Sequence, residues 1–77
     1  MKKYTRKAIR EFVSMGLATD ITNYGFEEMA TFLHEHDLEK VGYSLGQMGL
    51  NAGLLKDCKT GEFYAIIARN SALTMAF

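Results

Sequence analysis

The chain has one cysteine, no proline and no long apolar run. A lone thiol, Cys58, excludes an internal disulfide framework and favours a reducing compartment. The lack of proline, in a chain that is 48% hydrophobic, argues for a folded domain and against disorder. No window approaches the roughly 18 uninterrupted apolar residues of a membrane span. A secretory leader is not expected, because Lys2 and Lys3 lead into an amphipathic charged segment instead of an apolar one. Gly-Lys-Ser/Thr is absent, and Gly42, Gly46, Gly49 and Gly53 do not follow Gly-x-Gly-x-x-Gly, so no phosphate-cradling loop is indicated. These glycines instead suit close backbone approach or a turn at 46–49.

What is present is small and unevenly charged. Seventy-seven residues make one domain, with a helical half at about 5–46 and a β half at about 50–77. A chain this short buries only about 60% of its unfolded surface, so oligomerisation is an attractive source of stability. Net charge is zero, yet Lys2, Lys3, Arg6, Lys7 and Arg10 crowd the first ten residues. Residues 11–39 hold Glu11, Asp20, Glu27, Glu28, Glu35, Asp37 and Glu39 with no Lys or Arg. Either the basic segment meets the acidic one within the fold, or it forms an arm for phosphates.

Thr5 is suited to cap a first helix from Arg6, with Ala8, Ile9, Phe12, Val13, Met15 and Leu17 as its apolar stripe. Gly16 weakens its last turns. Asn23-Tyr24-Gly25 breaks the chain before a second helix that runs to about Glu35, with Phe26, Met29, Ala30 and Leu33 expected to be buried. Glu27 and Glu28 suit its first turn, and His34 and His36 suit its end. After Asp37 as a cap, the spacing of Leu38, Val41, Leu45 and Met48 favours a short helix ending near Gly46, while the alternation of Val41, Tyr43 and Leu45 allows a strand over 38–46.

The hairpin signal is firmer. Strands are expected over about Leu50–Lys56 and Glu62–Arg69, joined by Asp57-Cys58-Lys59-Thr60-Gly61. Asp57 can accept from the turn amides, and Gly61 supplies a positive φ. Arg69-Asn70-Ser71 then turns the chain into a last strand ending at Phe77. The expected architecture is α+β: two or three helices packed on one face of a three-stranded antiparallel sheet, through Ile9, Phe12, Val13, Phe26, Met29 and Leu33.

Both faces of the second hairpin strand are apolar: Phe63, Ala65 and Ile67 on one, Tyr64, Ile66 and Ala68 on the other. With helices on one side only, the second face is either a small-residue surface or the seat of a homodimer. Tyr64, Ile66 and the terminal Phe77 are therefore candidate partner contacts, joined by Arg69 and Asn70, the most polar feature of this region.

No constellation in the sequence carries chemistry. His34 and His36 would point about 200° apart on a helix, and Cys58 has no companion at metal-ligand spacing, so no metal or other cofactor is indicated. Lys56 and Lys59 would lower the Cys58 thiol pKa somewhat, but a hairpin tip is a poor place to preorganise a nucleophile. The carboxylates lack a fixed partner. No small-molecule ligand is identified, and an enzyme is not expected. A nucleic-acid contact would use Lys2, Lys3, Arg6, Lys7 and Arg10 around Tyr4, because the second helix is acidic.

The runs Gly42-Tyr43-Ser44-Leu45-Gly46, Gly49-Leu50-Asn51-Ala52-Gly53-Leu54-Leu55, Thr60-Gly61-Glu62-Phe63-Tyr64-Ala65-Ile66 and Ala68-Arg69-Asn70-Ser71 resemble small uncharacterised proteins of Gram-positive phages and conjugative elements. The resemblance covers the C-terminal half and implies a cytoplasmic bacterial accessory protein, with no catalytic residues to carry over. The expected function is a non-catalytic protein-interaction module, self-associating or with another protein as partner. The alternative is nucleic-acid binding through the basic first helix.

Overall fold

A computed structural model describes residues 1–47 and 49–68. Arg69, Asn70, Phe77 and the expected last strand lie outside the described residues.

The chain order is β1 (Lys2–Lys3), α1 (Arg6–Ser14), β2 (Thr19–Asp20), α2 (Phe26–Glu35), β3 (Leu38–Gly46), β4 (Gly49–Asp57) and β5 (Phe63–Ile67). The strands form one mixed sheet in the order β1-β3-β4-β5-β2. β3, β4 and β5 are an antiparallel meander, while β1 and β2 add in parallel at its two rims. This corrects the expected three-stranded antiparallel sheet. The α+β character stands, but among the described residues the sheet has five strands and both orientations.

Local chemistry explains the helix ends. Thr5 is extended, and its Oγ1 accepts from the Ala8 amide at 3.0 Å. At the other end Gly16 has φ +76°, and the Gly16 and Leu17 amides bond back to Val13 and Phe12, which stops α1 in a Schellman-type turn. Met15 and Leu17 consequently fall outside the buried stripe and are exposed. α2 starts after Gly25 and carries Glu27 and Glu28 in its first turn.

Residues 38–46 are strand, not helix. Leu38 pairs with Asp57, and the ladder runs to Gly46 opposite Gly49. A register shift between Lys40 and Gly42 leaves Val41 as an extra residue, and a second shift follows Ser44. Gly42 is buried and has no room for a side chain: an ideal Cβ there would lie 2.5 Å from the Tyr4 ring. The glycine that weakens a helix is what lets β3 pass beneath Tyr4.

The helices cover opposite faces. Ile9, Phe12 and Val13 of α1 pack with Ala52, Leu54, Ala65 and Ile67. Met29 and Phe32 of α2 pack with Leu55, Tyr64 and Ile66. Topology requires this arrangement. The β1-to-β2 crossover traverses the sheet one way and the β2-to-β3 crossover returns, so two connections of the same hand must lie on opposite sides. The apolar character of both faces of β4 and β5 follows, since both are buried. The sheet face expected to receive a second copy is covered by α2.

α2 is also turned from its expected orientation. Phe26 and Leu33 are 90% and 45% exposed, whereas Phe32 is buried. Phe32 packs edge-on against Tyr24 and Tyr64 and stacks on His36 at 4.1 Å between ring centroids. Those rings fix the rotation of the helix.

Candidate interaction surfaces

The Asp57–Gly61 turn brings Asp57 to His36 and Cys58 to Glu39. Asp57 is only 2% exposed. His36 Nδ1 donates to its Oδ2 at 2.7 Å, and the Lys59 amide donates to its Oδ1 at 2.8 Å. The His36 bond first, then the Lys59 and Thr60 amides, hold this carboxyl below its ordinary pKa against the opposing effect of burial. The backbone closes the turn as expected: the Gly61 amide donates to the Asp57 carbonyl at 2.8 Å, with Gly61 at φ +79°.

Cys58 is exposed, but its thiol is not activated. Loss of hydration and a 3.5 Å contact to Glu39 Oε2 raise its pKa, as do the charges of Asp37, Glu39 and Asp57. The lowering expected from Lys56 and Lys59 is outweighed, because the fold brings three carboxylates to this corner. Tyr64 donates to Glu62 at 2.8 Å; that bond and burial push its pKa up to about 12. The Asp57–His36 pair ties the turn to the end of α2, Cys58 reaches Glu39 of β3, and Tyr64 bonds Glu62 within the hairpin. His34 is exposed on α2, apart from the His36–Asp57 pair. Among the described residues, no three His, Cys, Asp or Glu side chains converge as a metal site would require. Among the same residues, no helix is long and apolar enough to cross a membrane.

The five basic candidates do not act as a set. Arg6 is half-buried and donates through Nε and Nη2 to the Ala68 carbonyl, at 2.9 and 2.6 Å, which ties α1 to the end of β5. Lys2 lies over the Tyr4 ring at 5.4 Å. Lys3, Lys7 and Arg10 are exposed. Of the candidate partner contacts, Tyr64 and Ile66 are core residues under α2, each 6% exposed.

Two surface features among the described residues are not indicated by local periodicity. The first is the outer flank of α2, where Phe26, Ala30 and Leu33 follow one another at helical spacing and are all exposed. Glu27 and Glu28 follow Phe26 directly, and with Tyr24, Thr31, Phe32 and Glu35 they line a shallow acidic depression. The second is an apolar cleft on the α1 side of the sheet, about 230 Å³ in volume, lined by Tyr4, Phe12, Leu17, Ala18, Leu54 and Phe63. Tyr4 and Phe12 meet edge-to-face in its wall at 5.3 Å. Lys56 lies over the Phe63 ring at 5.8 Å, opposite it in the β4–β5 register. That cross-strand pair was readable from the turn, but the cleft depends on β1 and α1 meeting over it.

No family model, curated protein or solved structure matches this chain.

Proposed function

We propose that the protein is a small non-catalytic protein-interaction module acting in the bacterial cytoplasm, in keeping with its resemblance to accessory proteins of mobile elements. The carrying observation is Phe26, a large aromatic side chain 90% exposed on the first turn of α2. An aromatic ring in water gains far more from docking than from its present position, and aromatic anchors dominate protein contacts. Leu33 extends the apolar stripe, and Glu27, Glu28 and Glu35 supply an acidic rim that selects a partner with basic groups around an apolar recess.

The test compares the wild-type protein with Phe26→Ser and Leu33→Ser, each immobilised against extract of the native host. The variants should fold normally, because Phe26 is 90% exposed and Leu33 nearly half exposed, and should lose a partner that the wild type retains. Equal capture by all three would remove α2 as the contact surface.

The exposed Lys3, Lys7 and Arg10 support a second reading, nucleic-acid binding. Reversing these three charges should then abolish duplex retention at low salt while leaving α2-mediated capture intact. Absence of wild-type retention at low salt would dismiss this reading.

A further inference from the structure

The α2 surface carries an exposed ring beside carboxylates, the apolar cleft carries lysines at its rim, and the two lie on opposite sides of the sheet. From this we infer that the partner of the α2 surface is a second copy of this chain: Phe26 of one molecule enters the cleft of the next. This inference rests on the interaction-module reading and names its partner.

The size match is direct. An apolar cavity of about 150 Å³ accommodates a benzene ring. The cleft offers about 230 Å³ between Tyr4, Phe12, Leu17, Ala18, Leu54 and Phe63, enough for a phenyl ring to pack against aromatic walls. The charge match is equally specific. Phe26 is followed by Glu27 and Glu28, while two aromatic residues of the cleft lie beneath cations: Tyr4 beneath Lys2 and Phe63 beneath Lys56. An incoming Phe26 therefore brings two carboxylates towards two ammonium groups already on the rim. A net charge of zero does not oppose the approach of another copy.

Geometry decides the type of assembly. Donor and acceptor surfaces differ and belong to helices on opposite faces of the sheet, so the contact is heterologous. Each molecule that docks its Phe26 still presents its own cleft. Association is head-to-tail and propagates with concentration, unlike a two-fold dimer that closes on itself.

Sedimentation velocity on the full chain tests this. At low ionic strength the wild-type sedimentation coefficient should rise steadily with concentration. It should fall towards that of the monomer in about 1 M salt, where the screening length is about 3 Å. Phe26→Ser should weaken association by about thirtyfold, the factor that accompanies loss of a central aromatic anchor. The decisive arm uses two charge-reversed proteins: Glu27→Lys with Glu28→Lys, and Lys2→Glu with Lys56→Glu. Each alone pairs like charges and should remain monomeric, whereas an equimolar mixture should assemble again. Circular dichroism melts verify that both are folded; if either is not, the salt dependence and Phe26→Ser carry the test.

A wild-type protein that stays monomeric at hundreds of micromolar in low salt overturns the inference. So does assembly that ignores both salt and Phe26, or a mixture no larger than its components. If the wild type is monomeric yet captures a host protein that Phe26→Ser does not, only self-recognition fails. Loss of that difference in capture as well removes the interaction-module reading.

Discussion

Replacing Gly42 by alanine should destabilise the domain by about 1–2 kcal/mol, although the glycine sits in a strand with ordinary backbone angles. In a strand with open space the substitution would stabilise, since removing a glycine returns about 0.5–1 kcal/mol of chain entropy. Here the added Cβ would lie 2.5 and 2.8 Å from two carbons of the Tyr4 ring and 3.3 Å from the Leu54 Cβ. The ring must move, but Phe12 meets it edge-to-face at 5.3 Å. Swinging it aside forfeits about 0.5–1.5 kcal/mol of aromatic contact, and forcing an extra carbon between Tyr4 and Leu54 costs about 1–3 kcal/mol. The clash therefore exceeds the entropy gain. A chain of this size shifts its Tm by about 4–8 °C per kcal/mol, so Gly42→Ala should melt roughly 5–15 °C lower by circular dichroism. The same substitution in a Tyr4→Ala background should be neutral or stabilising, because the obstructing ring has gone. An unchanged or higher Tm in the wild-type background would refute the reasoning, as would an equal loss in both backgrounds.

Gly61→Ala should cost on the order of 1–2 kcal/mol for a different reason: its φ is +79° with open space around it, so the loss is backbone strain alone and should persist whatever its neighbours are. Thermal melts of Gly61→Ala and Gly61→Asn, the latter expected to be milder, check this. The depressed Asp57 pKa predicts an acid limb of stability: the contribution is present above the ordinary carboxylate value of about 3.9 and is lost as pH falls through the lower folded value. Melts across that range should show Asp57→Asn less stable than wild type near neutrality and less sensitive to acid; parallel curves would deny the carboxylate its role. The raised Cys58 pKa predicts slow alkylation by iodoacetamide at neutral pH despite exposure, and Glu39→Gln should shift the rate profile to lower pH. A wild-type profile at or below that of a free cysteine would contradict the arrangement.

Legibility in the sequence tracked how local the determining interactions are. The β4–β5 hairpin, its Asp57–Gly61 turn and the Thr5 cap are set within a few residues, and each lies where local pattern places it. The rim strands were illegible because Lys2-Lys3 and Thr19-Asp20 have neither length nor apolar alternation; β5 and β3 recruit them. Even the ladder beyond β2 continues through a side chain, with the Ile67 amide donating to Thr22 Oγ1 at 2.8 Å. In β3, apolar residues at helical spacing were overridden by pairing with β4 and by the extra residue at Val41. For α2, two apolar arcs competed. Phe32 and His36 won because Tyr64 and the Asp57 carboxylate wait for them across the sheet, leaving Phe26 and Leu33 outside. The candidate contact surface was hidden for the same reason: it consists of apolar residues that local periodicity assigns to the interior.

The strand order also has a kinetic consequence. The three middle strands are consecutive in sequence and can zip together through short loops, but Lys2 must find Gly42 and Thr19 must find Tyr64, each more than half the chain length away. Closing those loops is entropically slow and gains little until the meander exists. The first twenty residues should therefore dock late in folding, so that substitutions there chiefly hasten unfolding while those in the meander slow the forward reaction.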